Sequence, residues 1–80
     1  MKNFAEQLNE LSKRPDFRLS GKYLYYRDEV VAFSPWEDAE SAPIEEWAID
    51  VMAERTPIVL KSGGKKNAKQ LILEAQGHTF

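Results

Sequence analysis

The sequence predicts an α+β fold, a small antiparallel meander of three to four strands covered on one face by two or three helices in the order α-β-β-β-α-(β)-α. Three observations predict it. An amphipathic stretch opens the chain behind a capping residue, short alternating runs rich in tyrosine follow, and apolar residues then return at helical spacing. Eighty residues suffice for one domain, 1–80, with one core. A hydrophobic content of 42% and a charged content of 30% are ordinary for a globular chain.

The first element is a helix from about Asn3 to Lys13. Asn3 is a good N-cap, and Glu6 stands where a capping-box acid belongs. Phe4, Leu8 and Leu11 share a face, Lys13 and Arg14 suit the negative end of the helix dipole, and Pro15 stops it. Phe17 and Leu19 alternate with polar neighbours in a first strand, and Ser20-Gly21 permits a tight turn. Lys22 to Arg27 forms a second strand, with Leu24 and Tyr26 on one face and Tyr23 and Tyr25 on the other. Asp28-Glu29 is read as a turn and Val30 to Phe33 as a third strand.

Ser34 to Pro43 is a connecting loop with acids between its prolines. Ile44, Trp47, Ala48, Val51, Met52 and Arg55 then repeat at steps of three and one, which predicts a second helix starting at Pro43 and ending at Thr56-Pro57. Ile58 to Leu60 is a short fourth strand. Ser62-Gly63-Gly64 is a flexible turn, and Ala68, Leu71, Ile72 and Ala75 mark a last helix closed by Gly77. His78-Thr79-Phe80 trails off unless Phe80 docks on the core. The expected core is Phe4, Leu8, Leu11, Leu19, Leu24, Tyr26, Val31 and Phe33, continued by Ile44, Trp47, Val51, Ile58, Leu60, Leu71 and Ile72.

The composition narrows the chemistry. With no cysteine there is no disulfide framework, no thiolate zinc site and no cysteine nucleophile. A single histidine, His78, makes a transition-metal site or histidine-based acid–base catalysis a poor expectation. Glu37, Asp38 and Glu40 lack the glycine-containing loop of an EF-hand, and no serine sits in a nucleophile elbow. The reading is therefore a non-enzyme without cofactor or metal. The polar start lacks a signal-peptide core and no apolar run is long enough to span a bilayer, so a cytoplasmic, membrane-free protein is expected.

Charge is distributed unevenly. Residues 28–54 hold nine acids and no lysine or arginine, whereas residues 1–27 carry a net +3 and residues 55–80 a net +4. Folding either interleaves these charges or gathers the acids on one surface. The second outcome makes the chain a protein-binding regulator or inhibitor, of the kind a phage or mobile element carries, docking on a basic partner. Trp36, Glu37, Asp38, Glu40, Glu45 and Glu46 would carry recognition. Trp36 would either fold back over the sheet edge or stand as a partly exposed anchor.

The alternative partner is nucleic acid. Lys61, Lys65, Lys66 and Lys69 surround the Ser-Gly-Gly turn where it leads into a helix start, and Lys22 lies beside Tyr23 and Tyr25, which would stack on bases. The turn is not a P-loop, because Val59 stands where the first glycine is needed and Lys66 replaces the magnesium-binding hydroxyl. A pI near 5.4 opposes general nucleic-acid affinity. A homodimer through an open sheet edge is a third expectation.

Overall fold

The computed structural model describes residues 2–77, so the expectations for His78 and Phe80 lie outside the described residues. Helix α1 spans Phe4–Ser12, and α2 spans Ala68–Ala75. Between them run β1 (Phe17–Ser20), β2 (Tyr23–Tyr26), β3 (Glu29–Phe33) and β4 (Ala48–Ile49), an antiparallel sheet in the order β1-β2-β3-β4. A separate hairpin joins β5 (Pro57–Val59) to β6 (Lys65–Asn67). The α+β class and the meander match the sequence reading.

Local chemistry sets the helix ends. The Asn3 side chain accepts a hydrogen bond from the Glu6 amide at 2.8 Å, filling one of the free donors of the first turn. Lys13 closes α1 in the left-handed conformation at φ 57°. The face that packs is Phe4, Ala5, Leu8 and Ser12, and Leu11 turns to solvent instead of joining the core. For α2, Asn67 and Gln70 form a reciprocal capping box, and Gly77 follows the helix at φ +91°.

The meander turns one residue earlier than expected at its second bend. Arg27 and Asp28 form the loop, with Arg27 at φ 57°, so Glu29 already belongs to β3. In the β2–β3 pairing the register slips between Leu24 and Tyr25, and Val31 becomes the extra residue of a bulge in β3. Val31 and Ala32 are consequently both fully buried, and alternation then sends Phe33 outward, against the expectation that it is core.

The predicted second helix is not there. Its segment is broken into two 3-10 turns, Ile44–Glu46 and Val51–Arg55, separated by β4. The reason is the open edge of β3. Ala48 and Ile49 pair with Phe33 and Ala32, and the Asp50 amide donates to the Val31 carbonyl at 3.0 Å. A continuous helix would leave that edge unmet. Asp50 also caps the following turn by accepting from the Met52 amide at 2.8 Å, a local bond that competes with helix continuation. Trp47 is buried as expected, but Val51 is 71% exposed, and Ile44 packs only at the periphery.

One cluster forms the core: Phe4 and Leu8 from α1, Leu71 and Ile72 from α2, and Phe17, Leu24, Tyr26, Val31 and Ala32 from the sheet, with Trp47 and Ile58. Leu19 and Leu60 are partly buried against it. The Phe4 and Trp47 rings lie 5.0 Å apart and tilted by 51°, and Phe17 and Tyr26 lie 4.9 Å apart at 55°, both within the range favoured for aromatic pairs.

Candidate protein-docking site

The loop between β3 and β4 holds every residue of the protein-binding set. It begins with an extension of the sheet, the amide of buried Ser34 donating to the Lys22 carbonyl at 2.7 Å. The Ser34 hydroxyl then accepts from the Trp36 amide at 3.0 Å, turning the chain away at that end of the sheet. Trp36 remains 45% exposed, so it does not fold back into the protein.

Two 3-10 turns shape the rest. Asp38 caps the first, Ala39–Ser41, accepting from the Glu40 amide at 3.2 Å and from the Ser41 hydroxyl at 2.7 Å. Its carboxylate therefore organises the loop. Ala39 and Ala42 are buried while Glu37, Glu40, Glu45 and Glu46 are exposed, so small side chains hold the loop down and the acids face water. At the far end Gln76 of the α2 C-cap donates from Nε2 to the carbonyls of Ile44 (3.2 Å) and Trp47 (2.8 Å).

The central acids do not all gather on one surface, which corrects the simplest form of the charge argument. Asp28 and Glu29 lie at the β2–β3 turn, and β3 separates them from Trp36 by roughly 13 Å of strand. Glu54 lies elsewhere again, paired with Lys69 at 2.6 Å. That pairing holds the Glu54 carboxyl below its ordinary value, first through the hydrogen bond from Lys69 and then through its charge. Glu37, Asp38, Glu40, Glu45 and Glu46 do share the loop between β3 and β4. Among the described residues none of these five forms an ion pair with a lysine or arginine.

This subset is joined by a residue the sequence reading missed. A cleft of about 730 Å³ separates the start of α1 from the two 3-10 turns, and Glu6 lines it together with Glu40 and Glu45. Glu6 is 34 positions from Glu40 in sequence, and only the docking of the loop beside α1 brings them together.

The lysine set is arranged differently from the expectation. The glycine turn closes a hairpin and leads into β6 instead of directly into a helix, so Lys65 and Lys66 stand on β6, which then runs into the Asn67 cap of α2. At the start of α2 the Gln70 amide donates to the Asn67 side chain, the Asn67 amide to the Gln70 side chain and the Ala68 amide to the Thr56 carbonyl, which takes these donors from the expected anion cradle. Lys66 pairs with Glu74 and Lys69 with Glu54, leaving Lys22, Lys61 and Lys65 as the members without an acidic partner among the described residues. Lys22 lies at the other hairpin, in the Gly21-Lys22 turn of the meander.

The outward face of the sheet carries Tyr23 opposite Phe33, 42% and 39% exposed, and half-buried Tyr25 with the Arg18 guanidinium 4.9 Å from its ring centre. Tyr26 is core, as its strand parity requires. Among the described residues no cluster of three His, Asp or Glu side chains is placed to hold a metal ion, and no helix is long and apolar enough to cross a membrane. The chain matches no protein-family model, no curated protein and no solved structure.

Proposed function

We propose that this chain is a non-enzymatic protein-binding module, a regulator or inhibitor that docks the acidic loop between β3 and β4 on a basic surface of a partner protein. One observation carries the reading: an exposed tryptophan is flanked by carboxylates that no described lysine or arginine neutralises. Unpaired acids attract a basic partner over about a Debye length, roughly 8–10 Å, and repel acidic ones. Trp36 supplies apolar contact area that a purely charged loop lacks.

Affinity capture with the wild-type chain, with Glu37→Lys/Glu40→Lys/Glu46→Lys and with Trp36→Ala tests this reading. Asp38 is left intact because its carboxylate shapes the turn. The wild type is expected to retain a partner with a basic surface, and both variants to lose it while keeping their circular dichroism. Equal recovery by all three proteins overturns the proposal.

A second reading draws on the Tyr23–Phe33 pair, with Tyr25, Arg18 and Lys22, as a platform for single-stranded nucleic acid. It is the weaker of the two, since Lys66 and Lys69 already hold acidic partners. Mobility of single- and double-stranded probes at low salt decides it, and no shift removes it.

A further inference from the structure

The cleft between α1 and the 3-10 turns combines an apolar side with an acidic rim. Pro43 and Ile44 supply accessible apolar surface over buried Phe4 and Ala42, and Glu6, Glu40 and Glu45 supply the carboxylates. Lys2 also borders the cleft, but its ammonium is bonded to Glu10. The rim therefore carries three acids without an ion-paired cation among the described residues. At about 730 Å³ the cleft is within the range of ligand sites, roughly 300–1,000 Å³, and larger than a single side chain requires.

We propose that this cleft seats an arginine-bearing extended segment of the partner protein. The inference rests on the docking function proposed above and names the partner chemistry at that surface. Charge complementarity selects a cation, and the carboxylates do not converge closely enough to hold a metal ion. Acids spread along a groove suit a long side chain instead, whose methylenes lie on Pro43 and Ile44 while its head reaches the rim. Arginine fits better than lysine because its fork meets carboxylates in a bidentate manner and its planar head is less strongly hydrated. A phosphate-bearing ligand is excluded by the sign of the rim.

The test is a titration of the isotopically labelled full chain with the blocked peptide acetyl-Leu-Arg-Leu-amide at low salt, followed by amide chemical shifts. A parallel titration uses the same peptide with citrulline in place of arginine, which keeps the shape and removes the charge. Saturable shifts at Phe4, Glu6, Ile44 and Glu45 are expected with the arginine peptide. Binding should weaken about tenfold or more with citrulline, and likewise in Glu6→Gln/Glu45→Gln, as expected for losing charge-assisted hydrogen bonds. No shift at these amides, equal binding of the citrulline peptide, or unchanged binding in the double variant overturns the cleft assignment. Glu6 and Glu45 are absent from the capture variants, so the two failures separate. Capture that depends on Glu37, Glu40 and Glu46 without peptide binding in the cleft leaves the docking loop standing and removes the arginine seat alone.

Discussion

Asn9 and Phe17 are joined through both polar atoms of one side-chain amide. The Phe17 N–H donates to Asn9 Oδ1 at 2.9 Å, and Asn9 Nδ2 donates to the Phe17 carbonyl at 3.3 Å. An asparagine on α1 thus occupies the place of a neighbouring strand at the outer edge of β1. The opposite edge is the two-residue β4. Sheet pairing with a second copy would therefore meet Asn9 at Phe17 on one edge and only two residues of strand on the other.

Asn9→Ala should leave the backbone of buried Phe17 without its partners and cost about 1–3 kcal/mol. Urea unfolding measures the loss. Light scattering at rising concentration should also reveal more association than in the wild type, because the Phe17 backbone is uncovered. Asn9→Asp keeps the acceptor for the Phe17 amide but sets a carboxylate oxygen against the Phe17 carbonyl, so it should also destabilise. Equal stability of Asn9→Ala and wild type would contradict this account of the edge.

Trp47 is buried, yet its indole Nε1 has no hydrogen-bond partner among the described residues. Trp47→Phe removes that donor while keeping a ring against Phe4, and should cost no more than about 1–2 kcal/mol. Trp47→Ala empties the site and should cost about 3–5 kcal/mol. Thermal unfolding of the two variants should separate them clearly. Similar losses would mean that the ring's packing is not what matters.

Lys13 ends α1 at a positive φ that glycine adopts without penalty. Its side chain is exposed and makes no ion pair among the described residues. Lys13→Gly should therefore stabilise the fold by about 0.5–1 kcal/mol, measured as a higher urea midpoint with an unchanged slope. Lys13→Val, branched at Cβ, should move the midpoint the other way.

The pairing of Glu54 with Lys69 makes a specific contribution to acid sensitivity. The carboxyl is lowered in the folded chain, so the unfolded chain binds the proton first as pH falls. The stabilisation is present above the ordinary carboxylate value and disappears as pH drops through the lowered one. Unfolding free energy measured from pH 7 downward should accordingly fall less steeply in Glu54→Gln, and the two curves should meet at the acid end. A constant gap between the curves at all pH values would assign the difference to packing.

The parts of the fold legible in the sequence were those governed by local rules. Asn3, Pro15, Gly21 and Gly77 mark ends and turns because their own chemistry demands it, and α1, the meander and α2 follow from them. The segment 44–55 failed for the opposite reason. Its helical spacing is a local preference, and the unpaired edge of β3 outweighed it. The Val31 bulge is likewise set by what packs beneath the sheet, so strand parity alone placed Phe33 on the wrong side. At the candidate site, the run of acids and Trp36 could be read directly. The contribution of Glu6 could not, since it depends on how the loop rests against α1.

Gln76 adds a consequence for any attempt to transplant the loop. Its carboxamide grips carbonyls 32 and 29 positions upstream, so the shape of the acidic segment is stored partly in the last helix. A peptide copied from residues 34–47, or the same stretch grafted onto a foreign scaffold, would carry the charges without the clamp. Such a mimic should need the distal glutamine, or a cyclising link that replaces it, before it competes with the parent chain.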